Sequence, residues 1–181
     1  MHRIRLARLD DIDRLNALIA ESAAALSAGY YSDAEIAALV THVFGVDTQL
    51  LRDGTYHLIE SDGRAVACGG WSRRRTLFGG DQAKGTEDPL LDPGVDAARI
   101  RAFFVHPSAA RQGHGRALLQ RGEAEARAAG FRRAELMSTL PGVPFYRALG
   151  YQALEQVLHP LPGGERVGFV RMSRELSLPR D

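Results

Sequence analysis

Apolar and polar residues alternate at the start of the chain, with Ile4 and Leu6 set between Arg3, Arg5 and Ala7. A period of two predicts a short, half-buried strand. The period then changes. Ile12, Leu15, Leu18 and Ile19 fall three and four residues apart and predict an amphipathic helix, with Asp10 or Asp11 as its N-cap and its end near Gly29. Ser32, with Glu35 three residues later, forms a capping box ahead of a second helix carrying Ile36, Leu39, Val40 and Val43. Tyr56, Leu58 and Ile59 predict a strand, and residues 65–71 another. Ser61-Asp62-Gly63-Arg64 between them is a hairpin turn. Residues 72–94 have no period and are rich in Gly, Asp, Pro and Arg, which predicts a long loop. A strongly apolar strand follows over residues 100–105, stopped by Pro107. A helix over 117–129 is closed by Gly130, and a strand runs over 134–137. Residues 144–149 predict a short helix closed by Gly150. Val157 and Leu158, then residues 167–172, predict a final antiparallel pair. This order describes one mixed α/β domain over residues 1–181, with neither a repeat nor a linker.

Composition narrows the function classes. The chain of 181 residues has a formal net charge of +1, so bulk charge offers nothing to attract nucleic acid or an anionic membrane. Cys68 is the one cysteine, which excludes an intrachain disulfide and suits a reducing compartment. The opening MHRIRLARLDDIDRL has no apolar core of the kind a signal peptide carries. No apolar run approaches the roughly 20 residues that span a bilayer. The expectation is a soluble cytoplasmic protein with no nucleic-acid or membrane partner and no metal.

The stretch RQGHGRALL, residues 111–119, sets two glycines where a helix should begin. Glycine in a helix costs up to about 1 kcal/mol relative to alanine, so packing or a ligand must offset it. Helix N-termini expose unpaired N–H groups and the positive end of the dipole, and bare backbone lets an anion come close. Arg111 and Arg116 flank the turn with charge. The mononucleotide pattern GxxxxGK followed by Ser or Thr is absent, and Leu118 stands where the dinucleotide pattern needs its third glycine. From the residues alone, a tight turn and an anion site both remain open.

The run FFVHPSAARQGHGRALL resembles the acyl-CoA-binding motif of the GNAT superfamily of N-acyltransferases, Q/R-x-x-G-x-G/A after an apolar strand and leading into a helix. Ala110 stands where the motif has Gln or Arg, with Arg111 one residue later. LMSTLPGVPFYRALGY, residues 136–151, is similar to the family's later strand and short helix, often written FYxxxGF. The resemblance implies a mixed, mostly antiparallel central sheet with a splayed strand pair, flanked by helices. It implies acetyl-CoA as co-substrate, with pantetheine along the backbone of Phe103, Phe104 and Val105. The pyrophosphate would sit on Arg111, Gln112, Gly113, His114, Gly115 and Arg116. An amine acceptor would enter from the opposite side and take the acetyl group directly. Tyr146 matches the family tyrosine that protonates the departing CoA thiolate, and Tyr30, Tyr31 and Trp71 would shape the acceptor pocket. A homodimer is also admitted.

Such a transfer has two demands. An alkyl amine with a pKa of about 10.4 costs about 4.6 kcal/mol to deprotonate at pH 7. A phenol near 10 giving its proton to a thiolate near 8.5 is uphill by only about 2 kcal/mol, so Tyr146 is a credible acid. The base is not assigned. The central strand AARIRAFFV has no carboxylate, Glu135 reads as a salt-bridge partner, and Asp81 and Glu87 read as solvated. His106 reads as a loop residue and His114 as a cover over the co-substrate. Cys68 reads as a small buried hydrophobe, residues 73–75 as a solvated basic loop, and Gly122 as a point of close helix-to-sheet packing. A second reading stays open: a non-catalytic acyl-CoA-binding sensor on the same fold, told apart by whether CoA is released in the presence of amines.

Overall fold

The alternation around Ile4 and Leu6 forms β1 (His2–Leu6) at one edge of a seven-stranded sheet in the computed structural model, which describes residues 2–176. The other strands are β2 (Tyr56–Ser61), β3 (Arg64–Ser72), β4 (Ala98–Val105), β5 (Arg133–Thr139), β6 (Gln152–Pro160) and β7 (Arg166–Glu175). Their order is β1-β2-β3-β4-β5-β7-β6, antiparallel except for the central β4–β5 pair. The hairpin between β2 and β3 turns at Asp62 and Gly63, both with positive φ, as its sequence predicts.

Helices cover both faces. α1 (Ile12–Leu26), α2 (Asp33–His42) and the short α3 (Thr48–Arg52) lie on one. Leu15, Leu18 and Ile19 of α1 pack there against Leu58 and Cys68. The Ser32–Glu35 capping box starts α2, with the Glu35 N–H donating to Ser32 Oγ at 3.2 Å and the Ser32 N–H to Glu35 Oε2 at 2.7 Å. Asp11 precedes α1 but does not cap it through its side chain. Its carboxylate instead accepts from the Arg5 guanidinium at 2.8 Å and from the Arg8 N–H at 2.8 Å. α4 (His114–Ala128) and α5 (Val143–Ala148) cover the other face, where Leu119 and Tyr146 meet Trp71, Ile100, Leu136 and Met172. α4 begins three residues before the helix that its apolar period predicts, because Gly113 and Gly115 belong to its start.

Two features open the sheet at its centre. β4 and β5 are paired only at Ala98↔Ala134 and Arg99↔Glu135, and beyond them the ladder stops. β4 also carries a bulge. Its register against β3 shifts between Cys68 and Gly70, and Ala102 takes φ +53°. A bulge bends its strand and strengthens the local twist. The buried Tyr56 hydroxyl holds this one by donating to the Ala102 carbonyl at 2.7 Å. Burial changes at the same place: Ala98, Ile100 and Arg101 are buried, whereas Ala102 to Val105 are only half-buried although apolar.

The long loop is an ordered strap. Arg74 and Leu90 form an isolated bridge, and Gly80 N–H donates to the Val43 carbonyl at 2.8 Å. Asp81 is exposed and accepts from the Thr48 N–H at 3.0 Å. A buried ion cluster fixes the strap to β4. Arg101 donates to Asp47 Oδ2 at 3.0 Å, the Gly79 carbonyl at 2.6 Å and the Thr76 carbonyl at 3.1 Å, and Lys84 reaches the same carboxylate at 3.1 Å.

Candidate functional site

Where β4 ends, the chain makes a tight, locally determined turn. His106 Nδ1 accepts from the Ser108 N–H at 3.1 Å, which caps a short turn over Pro107–Ala109. Arg111 (φ +64°) and Gly113 (φ +85°) then adopt left-handed backbone, and Gly113 is the N-cap of α4. The first main-chain bond at the helix start runs from the Ala117 N–H to the Gly113 carbonyl at 3.0 Å. The N–H groups of His114, Gly115 and Arg116 therefore lie ahead of the helical ladder. Arg111, Gln112, Gly113 and Arg116 are exposed, while His114 is buried.

The two glycines serve different needs. Gly113 has open space where a Cβ would sit, so its left-handed φ is what calls for glycine. At Gly115 a Cβ would lie 3.2 Å from Phe145 Cζ, so this position is set by packing against α5. That approach brings the two sequence motifs, about thirty residues apart in the chain, into contact.

Tyr146 sits on α5 beside this junction. Its ring is buried against Phe145 (centroids 5.0 Å apart) and Tyr151 (5.7 Å). The other buried tyrosines all spend their hydroxyls within the protein. Tyr31 donates to the Gly168 carbonyl at 2.7 Å, Tyr56 to Ala102, and Tyr151 to Glu123 Oε1 at 2.9 Å. The Tyr146 hydroxyl has no hydrogen-bond partner among the described residues. Burial raises its pKa well above the usual phenol value, so it keeps its proton throughout the neutral range.

The expected acceptor residues are not brought together. Trp71 lies in the core under α4, edge-on to Phe131 at 6.0 Å, with Nε1 donating to Glu125 at 3.0 Å. Tyr31 is buried on the opposite face, its hydroxyl also accepting the Leu140 N–H at 2.9 Å, and Tyr30 is exposed. Trp71 is thus a core residue of the α4 face and cannot share a pocket with Tyr30 and Tyr31. The strand pattern alone leaves open which face Trp71 takes.

Other residues have plain roles. Cys68 is fully buried and burial pushes its thiol up to about 12. Glu135 pairs with Arg99 at 2.8 Å and with Arg171 at 3.4 Å. Within the basic run, Arg74 pairs with Asp53 at 2.7 Å. Gly122 lets α4 approach the sheet, with its Cβ position 3.7 Å from Trp71 Cβ. Sequence reasoning misses Tyr56, Arg101, Asp47 and Phe78, whose partners lie far away in the chain and leave no local signature.

A β4–β5 pair that parts after two rungs, a glycine turn opening α4 and a short helix packed on that turn thus meet at one place in the fold. A sequence model of the Acetyltransferase (GNAT) family matches residues 21–151, well over half of the chain. The chain belongs to the GNAT acetyltransferase family. Solved structures agree in fold. A GCN5-related N-acetyltransferase from Rhodopseudomonas palustris has a TM-score of 0.72 at 18% identity, covering 96% of this chain and 94% of the other. The PaiA N-acetyltransferase of Thermoplasma acidophilum, solved with coenzyme A, has a TM-score of 0.67 at 13% identity over 97% and 99%. A putative acetyltransferase of Salmonella typhimurium, solved with acetyl-CoA, has a TM-score of 0.61 at 17% identity over 99% and 96%. No curated protein matches the chain. This GNAT acetyltransferase has, among its described residues, no helix long and apolar enough to cross a membrane.

Proposed function

We propose that this acetyltransferase moves the acetyl group of acetyl-CoA directly to an amine, with Tyr146 as the acid. The observation that carries this reading is the hydroxyl of buried Tyr146, without a partner among the described residues, on the short helix whose Phe145 packs against Gly115. The residues present suit the co-substrate. N–H groups of Arg111 to Arg116 ahead of the α4 ladder suit a pyrophosphate, with the Arg111 and Arg116 side chains adding charge. Phe103, Phe104 and Val105, half-buried along the unpaired side of β4, offer backbone to the pantetheine arm. When bound, acetyl-CoA supplies the activated thioester.

The protein's own groups do the rest. Tyr146 Oη is protonated at neutral pH and gives its proton to the thiolate sulfur as that sulfur departs, a transfer that burial of the phenol makes costlier than it would be in water. For the amine, Glu135 is tied to Arg99 and Arg171, and Asp47 to Arg101 and Lys84. Deprotonation therefore rests on the half-buried apolar opening, which disfavours an ammonium ion, and on water at its mouth.

Calorimetric titration with acetyl-CoA should show one saturable site, and a thiol assay should show CoA release that needs an added amine. Saturable binding with no release across a broad amine panel would instead favour the sensor reading. Gly115→Leu should weaken acetyl-CoA binding at least about tenfold, because the new side chain meets Phe145 and drives α5 off the turn. An unchanged Kd in that variant would remove the turn from the binding site.

A further inference from the structure

The face of the sheet opposite Tyr146 carries an aromatic cluster that this reading does not use. Phe169 of β7 is its buried hub. Its ring centroid lies 5.4 Å from Phe78, 6.2 Å from His159, 6.4 Å from Phe44 and 6.4 Å from Tyr31. Phe78 stands edge-on to His159 at 5.0 Å, and Phe44 to Phe104 at 5.5 Å. Around the buried hub, Phe44, Phe78, Met137 and Leu140 remain half-buried, and half-buried Phe104 adjoins them through Phe44. Five separate segments supply them: the end of α2, the strap, β4, β5 and the turn before α5.

Two of these side chains flank the gap between β4 and β5 where the co-substrate is proposed to lie. Phe104 lies on β4 beyond the bulge, and Met137 on β5 beyond the last β4–β5 pair. Half-buried apolar groups gathered at the mouth of a site mark a surface that a ligand can cover. Asp47 is held by Arg101 and Lys84, Glu35 closes the cap with Ser32, and burial lowers the pKa of His159 so that it stays neutral at pH 7. None of these groups would neutralise a second cation on the acceptor. Phe78 is also fixed in place, because Arg101 grips the carbonyls of Thr76 and Gly79 on either side of it.

We infer that this cluster is the subsite for the acceptor's side chain, that the acceptor is an amine carrying an aromatic or similarly bulky apolar group, and that Phe78 is a specificity-determining residue. The inference rests on the acetyl-transfer reading. It is tested with acetyl-CoA and three probe amines: 2-phenylethylamine, ethylamine and spermidine. The wild type should use 2-phenylethylamine with a kcat/KM at least about tenfold above either alternative, in keeping with what apolar pockets discriminate. Phe78→Ala should lose that preference through KM, with kcat and acetyl-CoA Kd within about twofold of wild type. Phe78→Leu, which keeps apolar bulk, should retain part of it, and reports the same ratio if the alanine variant does not fold. Spermidine or ethylamine used as well as 2-phenylethylamine would overturn the inference alone, as would an unchanged ratio in the Phe78 variants. Saturable acetyl-CoA binding with no turnover on any amine would overturn the transfer reading and this inference with it.

Discussion

Replacing Tyr146 with phenylalanine is expected to lower kcat by about 10²- to 10⁴-fold, the range a well-placed general acid contributes, with acetyl-CoA affinity changed by less than about twofold. The substitution is clean. The phenyl ring keeps the contacts with Phe145 and Tyr151, and the hydroxyl removed makes no bond to the described residues. Stability should therefore hold, and a loss of rate reports the proton alone. Burial raises the tyrosine's pKa, so its acid form persists from the neutral range upward. The wild-type rate should show no basic limb from this group between pH 7 and its ordinary value of about 10. Single-turnover kinetics with acetyl-CoA and an accepted amine would measure both. An unchanged kcat would remove Tyr146 from the chemistry.

Asp47→Ala is expected to destabilise the fold by about 3–5 kcal/mol, because it leaves the buried Arg101 guanidinium without its counter-charge. The same carboxylate also accepts from Lys84 and caps α3 through the Gln49 N–H at 2.9 Å, and a lost cap adds about 1 kcal/mol. For a chain of this size, each kcal/mol lowers Tm by roughly 2–4 °C, so a drop of about 10 °C or more is expected. The double variant Asp47→Ala/Arg101→Met should recover part of it, since removing both charges leaves no buried ion unpaired. Thermal denaturation by circular dichroism reads both. A drop below about 3 °C in the single variant would mean that the strap is held by its apolar contacts instead.

Features set within a few residues are legible in the amino-acid order alone. The Ser32–Glu35 box, the Asp62-Gly63 hairpin, and the glycines at 113, 130 and 150 with their positive φ all follow from local dihedral preferences. The two family motifs are legible for the same reason, since each is a short run whose backbone shape its own residues impose. α3 is not: five residues with no apolar period leave no trace that can be told from loop. The strap has the pattern of a plain loop because its order comes from Arg101, Asp47 and Thr48, all far from it in the chain. The expected pocket of Trp71 with Tyr30 and Tyr31 fails because a strand's period of two gives alternation without saying which side meets which helix.

By itself, then, the sequence determined the elements apart from α3, the turn that opens α4 and the family to which they belong, because those rest on neighbours in the chain and on backbone geometry. Only the tertiary structure decided the rest. It set the end of the β4–β5 ladder after two pairs, the contact of Gly115 with Phe145, the unpaired hydroxyl of Tyr146 and the gathering of Phe44, Phe78, Met137 and Leu140 around Phe169. Each depends on groups from separate segments meeting in space, some as far apart as Tyr31 and Gly168. Packing and register settle those meetings, and neither is written in any one stretch of the chain.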